Sequence, residues 1–563
     1  MFACPREVES TRIPGEIMAA SRSTNARRRF LQAAAGSILL PVYPGFAGFA
    51  RAQASRTLSV EKRTPEEQAR ADATLNTSAR HALVIGNSRY AGVTPLKNPA
   101  NDASAIAEQL RPCGFQVVLK QDLTREAMLD AISTYAARIA ATKSVGLFYF
   151  AGHGVQLSWR NFLVPVDAVI NNLEDIPGRC VDLGTLVSGI TKANNPMNVV
   201  VLDACRNNPF GDVKLEAKGL SQLDAPLGTL LAFATSPGNV ASDGDGANGL
   251  YTENLLRELK IPETKIEDVF KRVRLGVRRH SNGQQIPWES TSLEEDFYFL
   301  PPKQIRPVTE SEADRQFEVE LALWEKIRTS TQPAPLEEFL RRYPSGRFSE
   351  LAQLQLDRVL KAQGEKRIKI ESTGPTPLSQ GTGIADSAFK VGDSYSYREL
   401  DLLTGVEQRR LTESVTRVTD FEVHYDNRKI TDLLGNPVRS RDGQQNTSQQ
   451  NFPTEYRVGK RWSSRNRFSY DNGSSGDSAF EFLVVAREPI TVAAGTFNAF
   501  RIEGRGSFSG TNPRVGNIYG QADLKFWMEP DKVRVPIIFE DLRKIGNRYR
   551  ATSRFELVSF KQS

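Results

Sequence analysis

At 563 residues the chain is too long for one hydrophobic core and calls for two or three domains. Hydrophobic residues at 39% and charged residues at 25% exclude a fibrous or wholly disordered chain and describe a soluble globular protein. The formal charge of +7 does not signal nucleic acid, because residues 1–54 hold seven arginines against three glutamates and leave only +3, an ordinary solvated surface, for the rest.

The first segment, "ARRRFLQAAAGSILLPVYPGFAGFARAQA" (Ala26 to Ala54), sets an arginine cluster before a mildly apolar, Gly- and Ala-rich run and ends on a small-x-small cleavage signal. It resembles a twin-arginine export signal, with Arg27 and Arg28 as the pair and Met18 as a candidate start. The alternative is a membrane anchor, since Leu31 to Ala50 is about as long as a bilayer requires, but Pro41, Pro44 and the glycines make a poor spanning helix. The expectation is therefore a signal peptide over 1–54, cleavage near Ala54, and a periplasmic or secreted protein with no membrane span. Cys4 leaves with the leader, so Cys113, Cys180 and Cys205 remain, an odd number that keeps at least one thiol unpaired.

Residues 55–79 are polar, without an apolar period, and read as a linker. From 80 to 301 short apolar runs alternate with amphipathic stretches. The runs "HALVIGN" (81–87), "FQVVL" (115–119), "SVGLFYFAGHG" (144–154), "NVVVLDAC" (198–205) and "GTLLAFATS" (228–236) predict strands. Stretches near 100–110, 124–140, 182–190, 249–259 and 266–280 predict helices. This rhythm predicts an α/β domain, a mainly parallel sheet flanked by helices, with its site beyond the carboxyl ends of the strands.

Over 310–363 the apolar residues Phe317, Leu321, Trp324, Leu336, Phe339, Leu340, Phe348 and Leu351 fall at helical spacing and predict a small helical hairpin module. A linker follows over 364–387. From 388 to 563 alternating runs punctuated by Gly, Asn and Asp predict an antiparallel β domain, with His424 as its one histidine and no catalytic grouping.

Two of the α/β domain's strands end on chemistry. "VVVLDACRNNP" (199–209) runs from a buried strand into a polar loop at Cys205, and "FYFAGHGV" places His153 between two glycines at the end of another. If these strands are parallel neighbours, a nucleophile and a base meet at one sheet edge. The imidazole takes the thiol proton, and a glycine N–H is left to face a substrate carbonyl. Taken singly, a histidine after a strand is more often structural and a buried cysteine is commonly an inert small hydrophobe; the pair is the unusual feature.

Residues 80–300 resemble the caspase and metacaspase superfamily, in the bacterial branch sometimes called orthocaspases, through four blocks in order: "ALVIGNSRYAGVTPLKNPANDASAIAEQL", "FYFAGHGVQ", "VVVLDACRNNPF" and "AFATSPGNVASDGDGANGLYTENLL". The resemblance implies a caspase-like fold and peptide-bond hydrolysis through an acyl-enzyme. It implies His153 as general base, Cys205 as nucleophile, and the backbone N–H groups of Gly154 and Cys205 as oxyanion hole. Animal caspases carry Gln-Ala-Cys at the nucleophile; here Asp203 stands two before the cysteine, which implies cleavage after Arg or Lys, with Asp243 as a second pocket acid. The competing reading makes Asp203 a turn cap.

No cofactor is required by this chemistry. Calcium activation, which metacaspases achieve with aspartates, stays open: Asp167, Asp182 and Asp212 fall near suitable places, but Val181 replaces one acid and a hard cation takes six to eight oxygens. The expected partner is a peptide or protein with a basic residue before the scissile bond. Lys214 and Lys218, in the polar segment after Cys205, are candidate self-processing sites. The alternatives are a catalytically silent, regulatory binding protein of the cell envelope, or a Cys-His peptidase resembling legumain or gingipain.

Overall fold

The computed structural model describes residues 63–205, 209–210, 213, 215, 219–237, 239, 246–366 and 379–563, with residue 205 given by its backbone. The export segment, Asp212, Lys214, Lys218 and Asp243 lie outside the described residues.

The described chain opens on a helix where the sequence reads as linker. Helix α1 (Pro65–Thr77) starts on a reciprocal cap between Thr64 and Glu67, with proline in its first turn. Its apolar period is weak because polar groups dock it: the buried Asp72 and Asn76 side chains accept from the Asp296 and Tyr298 backbone N–H groups, each at 2.9 Å. A hydrophobicity pattern is blind to that kind of attachment.

The α/β domain then follows its predicted order, with β4, α4, β5 and β8 added to the elements expected: β1 (Arg80–Gly86), α2 (Pro99–Leu110), β2 (Phe115–Gln121), α3 (Arg125–Thr142), β3 (Val145–Leu157), β4 (Arg160–Leu163), α4 (Ile176–Arg179), β5 (Val181–Asp182), α5 (Leu183–Ala193), β6 (Asn198–Cys205), β7 (Thr229–Phe233), α6 (Leu250–Glu258), α7 (Ile266–His280) and β8 (Trp288–Thr291). Among the described residues the strands order as β2-β1-β3-β6-β7-β8, parallel except for β8 at one edge, with β4 and β5 extending from β3. Because side chains alternate along a strand, the sheet divides two cores. Tyr149, Ala151, Val199 and Val201 pack with α2, α6 and α7 on one face, while Phe148, Phe150, Leu202 and Ala204 pack with α3 and α5 on the other.

The predicted helical hairpin is a three-helix unit: α8 (Glu310–Ile327), α9 (Pro333–Arg342) and α10 (Ser349–Ala362). The third helix is needed to close the core, where the Trp324 ring stacks on Phe348 with centroids 5.9 Å apart. The β domain is antiparallel as expected. Among the described residues twelve strands between Ser394 and Lys561 close into a barrel. The end of the predicted 364–387 linker is itself ordered, since Thr382–Ile384 pairs antiparallel with Glu455–Arg457. Its Gly-rich composition reads as flexible, but a partner strand distant in sequence satisfies its backbone.

Among the ion pairs that join the helical unit to the barrel is Glu350 with Lys460. Burial raises the Glu350 carboxyl, but the charge of Lys460 and the Thr454 hydroxyl and N–H outweigh it and hold the group at about 2. A depressed carboxyl stabilises the fold fully above its unfolded value near 4.3, and that contribution is lost as pH falls toward 2. Glu350→Gln is therefore expected to cost on the order of 2 kcal/mol at neutral pH and to flatten the fall in thermal midpoint between about pH 5 and 3, measured by calorimetry. Among the described residues no helix is long and apolar enough to cross a membrane.

Candidate active site

His153 and Cys205 are register partners on the adjacent parallel strands β3 and β6, as are Ala151 and Asp203 two residues earlier. Neighbouring strands lie about 4.8 Å apart, so the two positions stand side by side at the end of β6. The expectation that β3 ends at His153 needs correction. The strand continues to Leu157 and forms a hairpin with β4, so His153 is 4% exposed and not a solvent-facing strand end. The flanking glycines therefore give room rather than a sharp turn. A Cβ at Gly152 would fall 2.6 Å from the Tyr90 hydroxyl, the group that accepts the His153 backbone N–H at 2.8 Å.

The imidazole is held by the loop after β1. Its Nε2 lies 2.8 Å from the Thr94 carbonyl oxygen, and the ring tilts against Tyr90 with centroids 4.7 Å apart. A carbonyl only accepts, so Nε2 carries the proton in the neutral ring and Nδ1 is the basic nitrogen. Sequence reasoning missed Thr94, because a backbone carbonyl leaves no side-chain signature.

Strand alternation also fixes the Gly154 N–H. The His153 carbonyl accepts from Val164 on the β4 side, so the Gly154 N–H is directed to the opposite side, where β6 ends at Cys205.

Asp203 is half-buried on the sheet face shared with Tyr149 and α6. The Thr252 hydroxyl on α6 donates to its Oδ2 at 2.6 Å, and the Tyr149 hydroxyl, 2.5 Å from Thr252 Oγ1, completes a short donor chain. Burial first, then the charges of Asp203 and Asp102, hold the Tyr149 phenol well above its usual range, which keeps it a neutral donor. Asp102, buried in the first turn of α2, accepts the Gly249 N–H at 2.9 Å. It is a second carboxylate whose charge reaches the Tyr149 hydroxyl, and the sequence reading passed over it, since an acid in the first turn of a helix is ordinarily a dipole partner.

The other aspartates are engaged elsewhere. Asp182 caps α5 and pairs with Arg160, and Asp167 accepts the Arg125 N–H at 2.9 Å. Among the described residues no cluster of His, Cys, Asp or Glu has the grouping of a metal site. Cys113 and Cys180 are buried thiols without a disulfide, pushed up by burial to about 11 and about 12. Neither is nucleophilic at neutral pH.

A mainly parallel sheet with helices on both faces, and a histidine and a cysteine in register on adjacent strands, is the arrangement of a caspase-like domain. Residues 79–298 match the family model described as the caspase domain, and this part of the chain belongs to the caspase-like superfamily. It is 28% identical over 229 residues to human mucosa-associated lymphoid tissue lymphoma translocation protein 1, covering 40% of this chain and 27% of that protein. The mouse homologue is 28% identical over 232 residues with the same coverage. Mouse caspase-1 is 22% identical over 254 residues, covering 40% of this chain and 60% of that protein. The chain thus spans about a quarter of the length of the first two relatives and three fifths of the third.

Proposed function

We propose that the protein is an exported cysteine endopeptidase that cleaves after Arg or Lys. The observation that carries this reading is the His153–Cys205 register with the imidazole fixed by Thr94, beside a half-buried carboxylate two residues before the cysteine. In the proposed cycle His153 Nδ1 takes the Cys205 thiol proton and the thiolate attacks the peptide carbonyl. The N–H groups of Gly154 and Cys205 receive the oxyanion. The imidazolium then protonates the leaving amine, and water, deprotonated by His153, hydrolyses the thioester. Asp203 supplies the negative charge that selects a guanidinium or ammonium.

The direct test is a panel of Arg, Lys, Asp and Asn reporter peptides given to the mature protein. Cleavage of the Arg and Lys peptides alone is the expected result. Preference for Asp would overturn the specificity, and no turnover on any peptide would favour the silent, regulatory reading. Because Cys113 and Cys180 are buried and protonated, iodoacetamide at pH 7 is expected to label one thiol per folded chain, Cys205, and to abolish turnover in proportion. Peptide mapping that finds label on Cys113 or Cys180 at a comparable rate would refute this.

Export is a separate expectation resting on the arginine pair. Changing Arg27 and Arg28 to Lys should leave unprocessed precursor inside the cell, and immunoblots of cell fractions would read it. Unaltered export would point to another route.

A further inference from the structure

The loop that leads into β7 is tied at both ends to parts of the chain remote from it in sequence. At its start, Leu220 is fully buried, and a Cβ built on Gly154 would fall 3.2 Å from a Leu220 methyl and 3.0 Å from Ala204 Cβ. Leu220 therefore backs the glycine next to His153 and the residue before Cys205. Ser221 is locked to β4: its N–H donates to Asn161 Oδ1 at 2.7 Å, its hydroxyl donates to the Trp159 carbonyl at 2.8 Å, and Asn161 Nδ2 returns a bond to the Ser221 carbonyl at 3.0 Å.

The far end of the loop is gripped by the segment that enters the β domain. Asp224 accepts the Ser379 hydroxyl at 2.8 Å and the Gln380 N–H at 2.6 Å, and Gln222 Nε2 donates to Thr382 Oγ1 at 2.6 Å. Ser379, Thr382 and Gln222 are all buried. The gripping segment is itself anchored, because Thr382–Ile384 pairs with Glu455–Arg457 and the Arg487 guanidinium holds the Gln380 carbonyl at 3.1 Å. A half-buried Arg274 from α7 bridges Glu289 on β8 and Glu455 on that same strand.

We infer that Asp224 and Ser379 are positioning residues of the peptidase site, by which the β domain holds Leu220 against Gly154 and so fixes the backbone donor beside His153. This rests on the peptidase reading above for its kinetic consequence, but the clasp itself is a set of contacts that can be measured without turnover. The barrel is then part of the catalytic apparatus rather than an appended recognition module. A displacement of an oxyanion donor by even a fraction of an ångström weakens transition-state binding and leaves ground-state binding unchanged.

The test uses the full mature chain. Ser379→Ala should lower kcat on an Arg reporter about tenfold with KM unchanged, Asp224→Asn should do the same, and Ser379→Thr, which keeps the hydroxyl, should restore most of it. Hydrogen exchange should show faster exchange over 219–226 in Ser379→Ala than in the wild type. Wild-type kcat in both variants, with or without a lowered thermal midpoint, would overturn the positioning role. Unchanged protection over 219–226 would overturn the clasp whether or not the chain cleaves peptides. Failure of the peptidase reading shows differently, as absence of turnover in the wild type.

Discussion

Cys205→Ala is expected to remove peptidase activity altogether, and His153→Ala to lower it by at least about a thousandfold. Without the thiolate no acyl-enzyme forms, and without the imidazole the thiol has no base and the leaving amine no acid. The two variants should differ in stability. His153 is 4% exposed and leans on Tyr90, so its removal opens a cavity against the ring, and a loss of roughly 1–3 kcal/mol is expected. A second variant, His153→Gln, keeps more of the volume and separates lost chemistry from lost packing. Cys205→Ala should retain the wild-type thermal midpoint within a few degrees. Reporter-peptide kinetics and thermal melts on all three decide the matter. Near wild-type turnover in either Cys205→Ala or His153→Gln would end the dyad assignment.

Asp203→Ala carries the substrate claim and should lower kcat/KM on Arg and Lys peptides by roughly a hundredfold or more. A carboxylate meeting a guanidinium in a partly desolvated pocket contributes on the order of 2–3 kcal/mol, and each 1.4 kcal/mol is a factor of ten. Thr252 donates to Oδ2 and orients the carboxylate that a substrate cation would meet. Peptides with a neutral residue before the scissile bond should change little. That contrast separates a pocket role from a packing role, because the loss of the Thr252 and Tyr149 contacts would weaken every substrate alike. Thr252→Val provides the control: it removes the orienting donor, leaves the charge, and is expected to cost about tenfold or less on basic peptides. Equal losses on basic and neutral peptides in Asp203→Ala would refute the specificity and leave the Cys-His chemistry standing.

What the sequence determined by itself was the α/β domain and the end of its strand at Cys205. Continuous apolar runs such as "NVVVLDAC" mean a strand buried on both faces, and their alternation with amphipathic stretches dictates parallel pairing with crossover helices; β1, β2, β3, β6 and β7 and the helices between them lie within a few residues of that reading. His153 and Cys205 stood out as candidates because each is a reactive residue at the point where such a run meets small polar residues, and the fold sets them in register. Tertiary structure decided the remainder, for one physical reason: the contacts concerned are polar and join residues far apart in the chain. Helix α1 is held by Asp72 and Asn76 on backbone groups more than two hundred residues away, and the supposed linker end by a strand about seventy residues on. The imidazole's proton is placed by a carbonyl, which every residue has and no pattern marks. Asp102 and Asp203 come close to one tyrosine only once α2 and α6 cover the same face of the sheet. Periodicity reports which side of an element is buried; hydrogen bonds between distant segments are set by the folded arrangement alone.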